Sequence, residues 1–109
     1  MEISIGSYPF QIKLVPPEEI ENCDGRTYHN ERVIKIRNDL DEITTELVLR
    51  HEVVHALLGT QGRVYQRKFD LEEVCEFIAY KLPEIKEVCD RFMYAFLDNK
   101  RREKLNEIH

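Results

Sequence analysis

Residues 51 to 55 read His51-Glu52-Val53-Val54-His55, an HExxH pattern. Positions i and i+4 lie one above the other on a helix face, so two imidazoles at that spacing can grip one metal ion. A glutamate at i+1 then stands beside the ion, where it can take a proton from a bound water. Imidazole with carboxylate favours zinc on ligand chemistry, and zinc brings the pKa of its water down to roughly 7. The pattern therefore predicts His51 and His55 as metal ligands and Glu52 as a general base. With 4 His in 109 residues, chance supplies only about 0.02 such patterns.

A catalytic zinc takes three protein ligands and keeps one position open. Position 58 is Leu, position 61 is Gln, and no His stands between 56 and 108; His109 is the final residue. The third ligand is therefore expected from a glutamate on the following helix, which carries Glu72, Glu73 and Glu76. The core stripe expected there is Leu71, Val74, Cys75, Ile78, Ala79 and Leu82. Glu72 borders that stripe, Glu73 goes with Phe77 and Tyr80, and Glu76 lies one turn beyond Glu72. Geometry favours Glu72, with Glu73 and Glu76 as alternatives. Acidic residues in a first turn are also favoured by the helix dipole alone. Loop residues Tyr28, His29, Arg63 and Tyr65 are candidates to stabilise an oxyanion.

The run His51-Glu52-Val53-Val54-His55-Ala56-Leu57-Leu58-Gly59 before a glutamate-bearing helix resembles the gluzincin arrangement. It is most similar to small ImmA/IrrE-like and phage-encoded metallopeptidases. Their second helix resembles E-x-x-[AC]-[ND]-x-x-A, and this chain matches it at Glu72, Cys75 and Ala79. It departs at Glu76, where the family has Asn or Asp, a residue that supports a ligand histidine. The resemblance covers about residues 24 to 82. It implies a zincin-like fold, a Zn2+ cofactor and Glu72 as third ligand. It also implies a protein substrate, with a regulatory protein as one possible target.

These side chains need elements to position them. Ile3 to Ile5 and Phe10 to Val15 alternate with period two, and Phe10, Ile12 and Leu14 are expected to share one strand face. Pro16-Pro17 ends that strand. Thr27-Tyr28 and Val33 to Ile36 read as strands around a hairpin at His29 to Arg32, and Val33 to Ile36 is the expected edge for pairing a substrate. Asp39 to Glu42 resembles a capping box. From there Ile43, Leu47, Val54 and Leu58 recur at helical spacing up to Gly59, a C-cap candidate. That places the HExxH pattern on a buried or half-buried face. Asp70 is the expected N-cap of the second helix, Pro83 interrupts or kinks it, and a third segment runs from Glu84 toward Asp98. The expected fold class is α+β: a small antiparallel sheet of about three strands packed on two to three helices. Residues 1–99 form one zincin-like domain and 100–109 a charged tail.

Composition narrows the function. The net charge of −5 and the lone basic cluster Lys100-Arg101-Arg102 argue against nucleic-acid binding. No apolar run approaches the ~20 residues of a membrane span, and Met1-Glu2-Ile3-Ser4 does not read as a signal peptide. Cys23, Cys75 and Cys89 are odd in number and lack a CxxC pair, so a reducing cytoplasm is the expected setting. The leading reading is a zinc-dependent peptidase acting on a protein or peptide. The competing reading is a zinc-stabilised binding or regulatory module that cleaves nothing.

Overall fold

Four extended segments close into one sheet. In a computed structural model that describes residues 1–60 and 71–107 (side chains of 71, 72, 75 and 107 excepted), β1 (Glu2–Ile5), β2 (Tyr8–Val15), β3 (Gly25–Tyr28) and β4 (Val33–Arg37) lie in the order β1-β2-β4-β3. Gly6 and Ser7 join β1 to β2 with φ of 58° and 70°, the paired left-handed conformation that suits a two-residue hairpin. A Cβ on Gly6 would also sit 2.4 Å from Thr60 Oγ1. β1 and β2 are antiparallel, as are β3 and β4, which flank the turn at residues 29–32; β2 and β4 run parallel.

The chain therefore has the expected α+β class, with four strands in a mixed sheet. The parallel pair follows from the chain path. Pro16-Pro17 ends β2, a 3-10 turn (Pro17–Ile20) redirects the chain, and β3 intervenes before β4 returns beside β2.

One face of the sheet is covered by two helices, α1 (Glu42–Thr60) and α2 (Leu71–Glu107). Ile3, Ile5, Phe10, Ile12, Ile34 and Ile36 meet Leu49, Val53, Ala56 and Leu57 from α1, and Ile85, Val88, Phe92 and Met93 from α2. Burial of side chains of this size is the main stabilising term, at roughly 1.5–3 kcal/mol each. Leu14 departs from its expected burial. It is 38% exposed and lines an open groove with Phe92 and Phe96 beside the sheet.

Asp41, not Asp39, caps α1: its carboxylate accepts from Thr44 N–H at 2.7 Å. Asp39 instead accepts from Arg37 Nε at 2.6 Å. Gly59 lies within α1 rather than past its end. The buried face of α1 is Thr45, Leu49, Glu52, Val53, Ala56 and Leu57, whereas Ile43 and Leu47 are 74% and 57% exposed.

Pro83 does not divide the second helical region. α2 is continuous over 37 residues with Pro83 inside it, although an interior proline loses one backbone bond and costs about 3 kcal/mol. The exposed ring sits just before the segment that packs best, Ile85 to Met93. Glu84 beside it accepts from Gly6 N–H at 3.2 Å. Tertiary burial of Ile85, Val88, Phe92 and Met93 beyond the position outweighs the local penalty. The expected stripe on the first turns is also displaced. Ile78 and Leu82 are 39% and 56% exposed, Ala79 is exposed, and Phe77 packs against the core instead. Residues 101–106 of the charged tail are helical and exposed. Among the described residues no helix is long and apolar enough to cross a membrane. The Asp70 cap and the loop after Thr60 lie outside the described residues.

Candidate metal centre

α1 carries the HExxH pattern in its C-terminal half, and the register of the helix separates its three polar residues. His51 and His55 emerge on the solvent side, and the His51 side chain is 69% exposed. The expectation of a buried or half-buried histidine face is thus corrected, because Leu49, Val53, Ala56 and Leu57 take the core side of the helix. What remains is the pairing. The two Nε2 atoms lie 3.1 Å apart, with ring centroids at 4.7 Å and planes crossed at 67°.

Two nitrogens each ~2.0–2.1 Å from one tetrahedral zinc stand about 3.3–3.4 Å apart. The pair fits that ion with a shift of a few tenths of an ångström. The same spacing lets one neutral ring donate a hydrogen bond to the other.

Glu52 takes the opposite role. It is 6% exposed and sits where α1 meets β3. Thr27 Oγ1 donates to Glu52 Oε1 at 2.8 Å and lies 3.2 Å from the Glu52 main-chain oxygen. Glu52 Oε2 is 3.9 Å from His51 Nε2. One carboxylate oxygen is therefore tied to the sheet and the other turned toward the histidines. Burial of a carboxylate costs several kcal/mol unless it is hydrogen-bonded, and the Thr27 hydroxyl supplies that bond.

The close approach requires Gly25. A Cβ there would lie 2.6 Å from Val48 Cγ1 and 3.2 Å from Glu52 Cγ. By local pattern alone Asp24-Gly25 is a turn signal and Thr27 an ordinary strand position. Both positions matter through contact with a helix about 25 residues away, a pairing with no local signal. A shallow groove of about 420 Å³ runs past Asp24, Gly25, Leu47, Val48, His51 and Glu52.

The strand beside this groove is β3. β4 is paired on both sides, to β2 and to β3, so Val33–Ile36 is not the edge it was expected to be. Arg37 N–H donates to Asp24 C=O at 3.0 Å. Alternation along an antiparallel ladder then directs the main-chain groups of Arg26 and Tyr28 to β4 and those of Gly25 and Thr27 to the edge that is free among the described residues.

The structure leaves the other candidates apart from the histidines or undescribed. Tyr28 occupies the strand face opposite Thr27, with Lys35 Nζ 5.3 Å from its ring centroid. His29 lines a separate hollow with Tyr8 and Arg32. Arg63, Tyr65 and His109 lie outside the described residues. Glu72 is in the first turn of α2, but its side chain is outside the described set. Glu73 and Glu76 are exposed. Among the described residues no group of three His, Cys, Asp or Glu side chains converges on a metal position.

Compared with protein-family models, with curated proteins and with solved structures, the chain matches none.

Proposed function

We propose that this chain is a zinc-dependent metallopeptidase of the gluzincin kind, similar to the ImmA/IrrE-like group. The observation that carries the reading is the 3.1 Å approach of the His51 and His55 Nε2 atoms, with Glu52 Oε2 held 3.9 Å from one of them. His51 and His55 would hold the ion, with Glu72 as third ligand. When bound, zinc supplies Lewis acidity that acidifies water and polarises a carbonyl. Glu52 Oε2 takes the proton of the attacking water and later passes it to the leaving amine. The free edge of β3 pairs with an extended substrate through the main-chain groups of Gly25 and Thr27, giving affinity with little demand on sequence. The free thiols Cys23 and Cys89 fit a reducing, cytoplasmic setting.

The support for Glu72 now comes from its match to the family pattern, since the stripe that favoured it on geometry is partly exposed. The test of the function is Glu52→Gln. This variant keeps the histidine pair and should lose 10²–10⁴-fold in peptidase rate, the usual scale of general acid–base transfer. Wild type and variant, both zinc-loaded, are incubated with a cell extract and the cleaved peptides compared by mass spectrometry. Products confined to wild type support the reading. Identical peptide sets transfer the case to a zinc-stabilised binding module.

A further inference from the structure

We infer that Thr27 is a positioning residue that couples the substrate edge of the sheet to the general base. The inference rests on the metallopeptidase reading for the word base, but its geometry stands on the strand alone. Three properties converge on this side chain. Its hydroxyl donates to Glu52 Oε1 at 2.8 Å. That bond leaves Oε2 as the oxygen toward His51, at 3.9 Å. Its own N–H and C=O face the side of β3 that is unpaired among the described residues, because the alternate residues Asp24, Arg26 and Tyr28 face β4.

A peptide that pairs with β3 therefore bonds to the same residue that fixes the carboxylate. Rotation of Glu52 away from the histidines would cost the Thr27 bond and leave a buried oxygen unpaired. Displacement of β3 would carry the carboxylate with it. Gly25, the other residue of the free edge, keeps this strand close enough for the bond to form.

The experiment reads Glu52 position directly, on the metal-free full chain. Nuclear Overhauser contacts between the Glu52 side chain and the His51 ring are recorded for wild type, Thr27→Val, Thr27→Ala and Thr27→Ser. Valine keeps the strand-favouring branched shape without the hydroxyl, and alanine is the second deletion in case valine disturbs packing. The contacts are expected in wild type and Thr27→Ser and lost in Thr27→Val and Thr27→Ala. Undiminished contacts in both deletions, or failure of serine to restore them, would overturn the inference. Zinc affinity is measured in parallel by chelator competition and should change less than about 3-fold among the Thr27 variants. Absence of zinc binding in wild type would sink the metallopeptidase reading while leaving the Thr27 result to be judged on the contacts.

Discussion

At the scale of single residues, the two imidazoles and the carboxylate divide their work through one helical register. The i, i+4 spacing brings His51 and His55 together on the outside of α1, and the i+1 position sends Glu52 inward against β3. The histidine pair was legible in the sequence because its spacing is local. The Thr27–Glu52 bond was not, because it joins an element of the sheet to a helix far along the chain. Glu72 is the proposed third ligand. Loss of a group that merely supports a ligand costs 10–100-fold in metal affinity, and loss of a ligand should cost at least as much. Glu72→Gln is accordingly expected to weaken zinc binding by 10-fold or more on that scale, with Glu73→Gln and Glu76→Gln near wild type. Chelator competition on the three variants checks this. A larger loss in either neighbour would reassign the ligand.

At the scale of elements, the site depends on how closely β3 lies against α1. Gly25 sets that distance, since a Cβ there would meet Val48 Cγ1 at 2.6 Å and the Lys35 carbonyl oxygen at 3.3 Å. Gly25→Val should destabilise the fold by about 1–3 kcal/mol, the usual cost of overpacking. Denaturant unfolding measures it, and the Glu52–His51 contacts should weaken with it. The start of α1 carries a second prediction. The Thr44 backbone N–H, and then its side chain, hold the Asp41 carboxyl below its ordinary value. A depressed folded pKa means that the stabilisation is complete above the ordinary value and fades as pH falls through the lowered one. Asp41→Ala should therefore lower the thermal midpoint at neutral pH, and the gap from wild type should narrow in strong acid. A gap independent of pH would show that the charge does not contribute.

The sequence reading placed both helices and the strand segments, because period-two and helical patterns are local. It placed the cap at Asp39 because Asp39 and Asp41 offer the same chemistry two residues apart. The pairing of Asp39 with Arg37 and the Thr44 N–H bond to Asp41 distinguish them. It expected an interruption or kink at Pro83 because local propensity cannot register the burial of Ile85, Val88, Phe92 and Met93 beyond it.

At the scale of the whole molecule, α2 dominates the outline. Its 37 residues reach about 55 Å at 1.5 Å each, and the longest extent of the chain is 54 Å. Its middle third supplies the core, and its charged end adds none of the buried side chains. The thiols report on this packing. Cys23 is exposed and Cys89 buried, and burial pushes the Cys89 thiol from its ordinary 9.0 up to about 11. In native protein a thiol reagent should modify Cys23 quickly and Cys89 only as fast as the core opens. After denaturation without reductant, about three thiols per chain are expected, one for each cysteine; a persistent disulfide would contradict the proposed reducing compartment. The unfolded chain releases the Cys89 proton first as pH rises, so that thiol's contribution to stability should decline between about 9 and 11. Cys89→Ala should flatten that decline in alkaline unfolding curves.

In the proposed function His51 and His55 together hold one zinc ion beside a carboxylate that does not hold it. Zinc titration with metal analysis of the purified chain tests this most directly. One equivalent is expected in wild type and in Glu52→Gln, with binding abolished or severely weakened in His51→Ala and in His55→Ala. No zinc uptake by wild type, or uptake that survives loss of either histidine unchanged, would contradict it.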